Sequence, residues 1–246
     1  MTSDTPWTVL RRFTDARIGL GLSGSSLPIR EVLKFAMAHA HARDAVTTRI
    51  NWDPIEDTLA GLELMTIRIE SAAGDRETYL RRPDLGRCLS TEARQNLTAI
   101  AGSSPDLLIL VGDGLSSIGI AANAAAMIAA FLPFTRKNEW SLAPVLLANQ
   151  ARVALGDDAG ELLGARAALV LIGERPGLSS PDSLGAYLTW APRVGRKDGE
   201  RNCISNIRSG GLSAGEGAFK AQWLLCEAFR RQITGVYCKF DTMYHV

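Results

Sequence analysis

The densest run of groups able to hold a ligand lies at residues 173–183, Gly-Glu-Arg-Pro-Gly-Leu-Ser-Ser-Pro-Asp-Ser. Prolines and glycine stiffen such a segment, and its hydroxyls and carboxylates become fixed hydrogen-bond partners. Glu174 could accept from a sugar hydroxyl or an amide. The plainer alternative is an exposed turn closed by an ion pair from Arg175 to Glu174 or Asp182. A second candidate is Gly112-Asp113-Gly114-Leu115-Ser116-Ser117. Here Gly114 would allow close approach to the backbone, and free amides at a helix start could take a phosphate or a carbonyl. Its plainer alternative is a tight strand-to-helix turn capped by Asp113 or Ser116. A third candidate is the stretch 200–208, where small polar residues surround Cys203. A nucleophilic cysteine wants a histidine base nearby. The histidines are His39, His41 and His245, so a buried or ligand-lining Cys203 is the favoured reading.

Other patterns point away from common chemistries. His39 and His41 are two residues apart and fall on different faces of a helix, so they do not form an i, i+4 metal pair. Gly19-Leu-Gly-Leu-Ser-Gly24 matches G-x-G-x-x-G, but that fingerprint needs a strand before it and a helix opening within it. Residues 11–18 are polar and read as a helix end, and Pro28 opens the next helix too late, so a loop is expected. The sequence contains no phosphate-binding G-x-x-x-x-G-K-[ST] and no Cys-x-x-Cys pair.

The elements that must position these groups follow from apolar periodicity. Pro6 after Thr5, and Pro28 after Ser25 and Ser26, mark helix starts. Residues 28–46 carry an imperfect helical stripe of Leu33, Phe35, Ala36, Met37 and Ala40, and a turn at 51–54 opens a short third helix. Residues 62–70 roughly alternate and are read as a strand. Beyond residue 90 the rhythm changes. Ser90 caps a helix running to Ala101. Apolar runs at 106–111, 142–148, 167–172 and 187–192 predict strands, with helices at 118–132, 157–163 and 216–232 between and after them. Continuous apolar runs alternating with helices imply strands covered on both faces. The expected fold is α/β: a helical N-terminal domain over residues 1–89, then a Rossmann-like, mainly parallel doubly wound sheet over 90–246. Ligands of such sheets bind beyond the carboxyl ends of the strands, here near 112–117, 149–153 and 173–177.

Composition restricts the function classes. With 246 residues, 46% hydrophobic and 22% charged, the chain suits a globular protein, and a net charge of +1 argues against nucleic acid or an anionic membrane as partner. The cysteines at 88, 203, 226 and 238 are scattered, as free thiols of a reducing cytoplasm would be. The first residues lack a basic stretch followed by an apolar core, so no secretory signal is read. The most apolar segment, 118–132, is short for a membrane span and is read as a buried helix.

Four strings are distinctive: Arg-Pro-Asp-Leu-Gly-Arg at 82–87, Asp-Gly-Leu-Ser at 113–116, Gly-Glu-Arg-Pro-Gly-Leu-Ser-Ser at 173–180 and Arg-Asn-Cys-Ile-Ser-Asn-Ile at 201–207. Together with residues 16–24 they closely resemble the ethanolamine ammonia-lyase light chain, in family order from about residue 16 to about residue 236. The resemblance implies a partner, a large TIM-barrel subunit that contacts substrate, in a large assembly of paired chains. It implies adenosylcobalamin between the two chains, and radical conversion of ethanolamine to acetaldehyde and ammonia. It places cobalamin contacts of the small chain at Val153, Glu174 and Cys203, with no catalytic residue and no metal ligand on this chain. Val153 would give apolar wall, Glu174 an acceptor and Cys203 a small soft surface. The chain lacks Asp-x-His-x-x-Gly, by which another cobalamin-binding class gives histidine to cobalt. Some family members carry a long polar N-terminal extension linked to packaging in a bacterial microcompartment; the stretch before Trp7 here is short, and residues 239–246 match no family feature. Two other readings stay open from the residues alone. One is a stand-alone nucleotide-binding oxidoreductase using 112–117, weakened because the 142–148 run ends in Asn149 and Gln150 rather than an acidic residue. The other is a purely structural partner with a vestigial pocket.

Overall fold

The computed structural model describes residues 6–14 and 16–240. The helix start read at Pro6 is present as α1 (Pro6–Leu10), while Thr5 ahead of it, His245 and residues 241–246 lie outside the described residues. The chain continues through α2 (Ile29–Thr47), α3 (Asp53–Gly61), β1 (Thr66–Glu70), α4 (Arg76–Arg81) and α5 (Thr91–Thr98). Then come β2 (Leu107–Gly112), α6 (Ser117–Lys137), β3 (Val145–Asn149), α7 (Leu155–Leu163) and β4 (Ala167–Gly173). Two strands, β5 (Leu184–Trp190) and β6 (Asn202–Ile207), and the helix α8 (Ala214–Arg231) complete it.

The strands form one six-stranded sheet in the order β1-β3-β2-β4-β5-β6. Pairings β3–β2 and β2–β4 are parallel, as expected, and so is β1–β3. The sheet also takes in β1, from ahead of residue 90. Pairings β4–β5 and β5–β6 are antiparallel. The reason lies in the connection: residues 174–183 contain no helix, and a chain leaving a strand without a crossover unit returns antiparallel.

Every residue of β2 and β4 is buried, which matches their unbroken apolar runs. One face of the sheet packs on Ile55 and Leu59 of α3, Ile120, Met127 and Phe131 of α6, and Leu224 and Leu225 of α8. The other face packs on Ala93 and Leu97 of α5 and on Leu155, Ala159 and Leu163 of α7. The helix ends are set locally. Ser90 Oγ accepts from Ala93 N at 3.0 Å, and Ser116 Oγ from Gly119 N at 3.0 Å. α7 stops at Gly164, whose φ of 67° is the left-handed geometry that glycine adopts freely.

Two elements were not read from the sequence. β6 is a polar edge strand whose buried residues, Ile204 and Ile207, lie three apart across a register irregularity, so no period-two pattern shows. α4 is short and polar, with only Tyr79 buried. The stripe on α2 is helical but unburied: Leu33, Phe35 and Met37 are all exposed.

Candidate functional site

The carboxyl ends of β2, β3 and β4 converge, and a small set of buried polar contacts holds their turns in register. Asp113, in the turn after β2, accepts from the backbone N–H of Ala151 after β3 at 3.0 Å. Arg76 of α4 lies 3.3 Å from the Asp113 carboxylate and donates to the carbonyls of Gly114 at 2.8 Å and Val46 at 2.7 Å. Burial pushes the Asp113 carboxyl up from the ordinary range, and Arg76 and nearby backbone amides pull it partly back. Tyr79 is wholly buried and donates its hydroxyl to the Ala151 carbonyl at 3.0 Å. The guanidinium groups of Arg76 and Arg152 lie over its ring, 4.7 and 4.3 Å from the centroid.

On this frame sits an open pocket of ≈ 390 Å³ lined by Tyr79, Gly114, Leu115, Arg152, Val153, Ile172, Gly173, Glu174, Arg175 and Tyr187. Val153 and Glu174 thus share one pocket, both half-buried. Val153 reaches it from the turn before α7 and Glu174 from the end of β4. The Glu174 carboxylate accepts from Ser183 Oγ at 2.5 Å and from the Asn206 backbone N–H at 3.2 Å. Its backbone N–H donates to the Ser183 carbonyl at 3.0 Å. The loop 174–183 is therefore pinned at its mouth by its own residues and by β6. Gly185 makes the arrangement possible, because a Cβ there would lie 3.0 Å from both Glu174 Oε1 and Tyr187 Cε2.

Cys203 sits at the margin. It is exposed and pairs with Tyr187 across the β5–β6 ladder. The Tyr187 phenol is pushed up chiefly by burial, then by the neighbouring Cys203 side chain and the nearby Glu174 charge. Cys203 Sγ also lies 3.2 Å from Ser205 Oγ, and both residues border a separate groove of ≈ 550 Å³ along the β6 edge. The structure therefore unites Val153 with Glu174 and reaches Cys203 through Tyr187. His39 and His41 belong to α2, where His39 stacks on Phe35.

The nucleotide alternative at 112–117 does not fit. Leu115 N–H donates to the Gly173 carbonyl at 2.9 Å, and Ser116 Oγ donates to the Pro181 carbonyl at 2.5 Å besides capping Gly119. A Cβ at Gly114, whose φ is 57°, would fall 2.3 Å from the Gly173 carbonyl oxygen. This glycine serves chain packing, and the helix start is closed by the 173–183 loop. The glycines at 19, 21 and 24 all have positive φ in a loop with no strand before it, as the loop reading holds.

A family model described as ethanolamine ammonia-lyase light chain matches residues 4–239. This chain belongs to that family. Its relatives include the ethanolamine ammonia-lyase small subunit of Xanthomonas campestris pv. campestris, 52% identical over 236 residues, covering 95% of this chain and 87% of the relative. The small subunit of Rhodopseudomonas palustris is 49% identical over 248 residues, covering 99% and 95%. That of Pseudomonas syringae pv. tomato is 48% identical over 237 residues, covering 95% and 83%. The chain is a light, or small, subunit of an ethanolamine ammonia-lyase, and the oxidoreductase alternative falls with that membership.

The Glu174 carboxylate is held by Ser183 and the Asn206 amide, and the Arg152 guanidinium lies over the Tyr79 ring. Sequence reasoning missed Tyr79, Arg152 and Tyr187 as pocket walls. Tyr187 lies in an apolar run that reads as core, and Tyr79 in a polar stretch that gave no element; the available signal was the aromatic flanked by arginines at 76, 81 and 82.

Proposed function

We propose that this light chain holds adenosylcobalamin at an interface with the large subunit, while the large subunit handles ethanolamine on its way to acetaldehyde and ammonia. The carrying observation is the pocket that joins Val153 to Glu174, with Tyr187 leading on to Cys203. Such a cofactor needs apolar wall and a few fixed polar contacts. Val153, Leu115, Ile172 and the ring of Tyr187 give wall; the Glu174 carboxylate, anchored by Ser183 and Asn206, gives an acceptor. The pocket is smaller than a corrin cofactor and open on one side, which suits a site completed by a second chain.

The chemistry supplied by the bound cofactor is homolysis of its cobalt–carbon bond. This chain's own residues bind and orient. Glu174 accepts a hydrogen bond from a neutral amide or hydroxyl at the pocket mouth, Val153 excludes water, and the Asp113–Arg76 pair keeps the turns beneath them rigid.

The large subunit docks, on this reading, along residues 7–37. Trp7, Phe13, Leu22, Ile29, Leu33 and Phe35 are all exposed there, and clustered exposed apolar side chains mark protein interfaces. Residues 1–89 then serve chiefly docking and 90–246 chiefly cofactor contact, with β1, Tyr79 and Arg87 of the first part packed onto the second.

The test is gel filtration of this chain with the large subunit and adenosylcobalamin, reading the visible spectrum of the complex peak. Cobalamin absorbance is expected to co-elute only when both chains are present. A colourless complex, or no complex, overturns the proposal.

A further inference from the structure

We infer that the basic hollow beside Val153 is an anion subsite that receives a phosphodiester. The inference rests on the cofactor reading above and deepens it. The hollow, ≈ 420 Å³, shares Arg152 and Val153 with the Glu174 pocket, so the two adjoin. Its charged lining is Arg87, Arg152, Arg196, Lys197, Arg201 and one carboxylate, Asp198.

Two of these cations are already answered. Arg196 pairs with Glu200 at 2.5 Å and donates to the carbonyls of Trp190 and Ala191, both at 3.0 Å. Arg201 is buried in an ion pair with Asp157. Asp198 is fully exposed, with its carboxylate 3.6 Å from Arg201. Among the described residues no carboxylate pairs with Arg87, Arg152 or Lys197. Arg152 has only the Tyr79 ring and a 3.4 Å contact from Nη2 to the Tyr79 carbonyl, and its Nε is buried with no partner. A surplus of positive charge beside a guanidinium with an unpartnered N–H is the chemistry that an anion satisfies.

The chemistry of the anion follows from the cofactor. The side chains around a cobalamin corrin are neutral amides, and its anionic group is the phosphodiester that joins one of them to the nucleotide. Arginine donates to a phosphate through a planar fork of N–H groups and lysine adds a point charge. A second phosphate source is inorganic phosphate free in solution, and the experiment separates the two.

The complex of this chain with the large subunit is titrated with cobalamin and with cobinamide, the same corrin lacking the phosphate and nucleotide. Binding is read from the visible spectrum. Arg87 and Lys197 are exposed, so the double variant Arg87→Gln/Lys197→Gln is expected to fold; Arg152→Gln is the second variant. The double variant is expected to lose about tenfold or more in cobalamin affinity, the worth of a hydrogen bond to a charged group, with cobinamide affinity unchanged; Arg152→Gln, which also borders the Glu174 pocket, is expected to lose more affinity for cobalamin than for cobinamide. Inorganic phosphate should compete with cobalamin on the unsubstituted complex and less on the variants. Equal losses for both corrinoids, or none for cobalamin, overturn the inference. If cobalamin affinity is unchanged while inorganic phosphate raises the melting temperature of the unsubstituted complex alone, the hollow belongs to free phosphate and not to the cofactor. If the unsubstituted complex retains neither corrinoid, the cofactor reading has failed by itself, and the phosphate-dependent melting shift with its loss in the variants still decides whether an anion subsite exists.

Discussion

Tyr187 stands directly opposite Cys203 on neighbouring antiparallel strands. Directly paired residues of an antiparallel ladder project on the same face. The register therefore carries Cys203 to the edge of a pocket it does not line, because Tyr187 belongs to that pocket together with Val153 and Glu174. A one-residue slip between β5 and β6 would turn Cys203 to the face packed on α6 and α8.

Substitutions at the three proposed contacts should rank. Val153→Arg is expected to weaken cobalamin retention most, because a charge placed against the corrin has no partner there and two arginines beside it repel it. Glu174→Gln should cost about 1.5–3 kcal/mol of binding, one hydrogen bond to a charged acceptor. Cys203→Ala, at the margin, should cost least. Spectroscopic titration of the two-chain complex measures all three; a silent Glu174→Gln beside a non-binding Cys203→Ala would reverse the ranking.

Tyr79 should leave a mark on alkaline stability. Burial pushes its phenol from the ordinary 10 to about 12, so the folded chain keeps a proton that the unfolded chain gives up in that window. The contribution is fully present below pH 10 and is lost as pH rises through about 12. Tyr79→Phe should flatten that part of the fall in urea-unfolding stability while the share from Tyr187 remains. At neutral pH the variant should lose about 1 kcal/mol, since the Ala151 carbonyl is left without its donor.

Ser213 and Glu216 cap α8 reciprocally: Ser213 Oγ accepts from Glu216 N at 3.2 Å, and Glu216 Oε2 accepts from Ser213 N at 2.9 Å. Ser213→Ala should destabilise the chain by about 0.5–2 kcal/mol. Ser213→Gly should cost only a few tenths of that scale, and comparing their urea midpoints separates the cap from general disruption.

Gly114→Ala tests whether the turn after β2 is a packing feature. Its left-handed backbone alone should cost about 1–2 kcal/mol with a side chain present, and the close Gly173 carbonyl adds to that. A drop in thermal stability with this substitution is expected in the chain without any ligand. Unchanged stability coupled to lost ligand binding would return the turn to the ligand-site reading.

Much of this was legible in the amino acids. The apolar runs at 106–111 and 167–172 became β2 and β4, because strands buried on both faces have no room for polar alternation. Ser90 capped α5 as expected, since a cap depends on residues three apart in the chain. The four distinctive strings named the family, and the strand ends at 149–153 and 173–177 marked the crevice where Val153 and Glu174 now stand together.

The tertiary structure alone decided the rest. β6 and its antiparallel register bring Cys203 to Tyr187, and α4 carries Tyr79 and Arg76 beneath the turns after β2 and β3. Neither element has a hydrophobic period of its own, because one is a polar sheet edge and the other a single helical turn and a half fixed by a buried aromatic. The same holds for the basic hollow: Arg87, Arg152 and Lys197 are far apart in sequence and become one lining only when the chain closes around α7. Local chemistry is written in neighbouring residues, whereas which side chains face one another across a sheet follows from strand register and long-range packing, which the local pattern of a sequence does not contain.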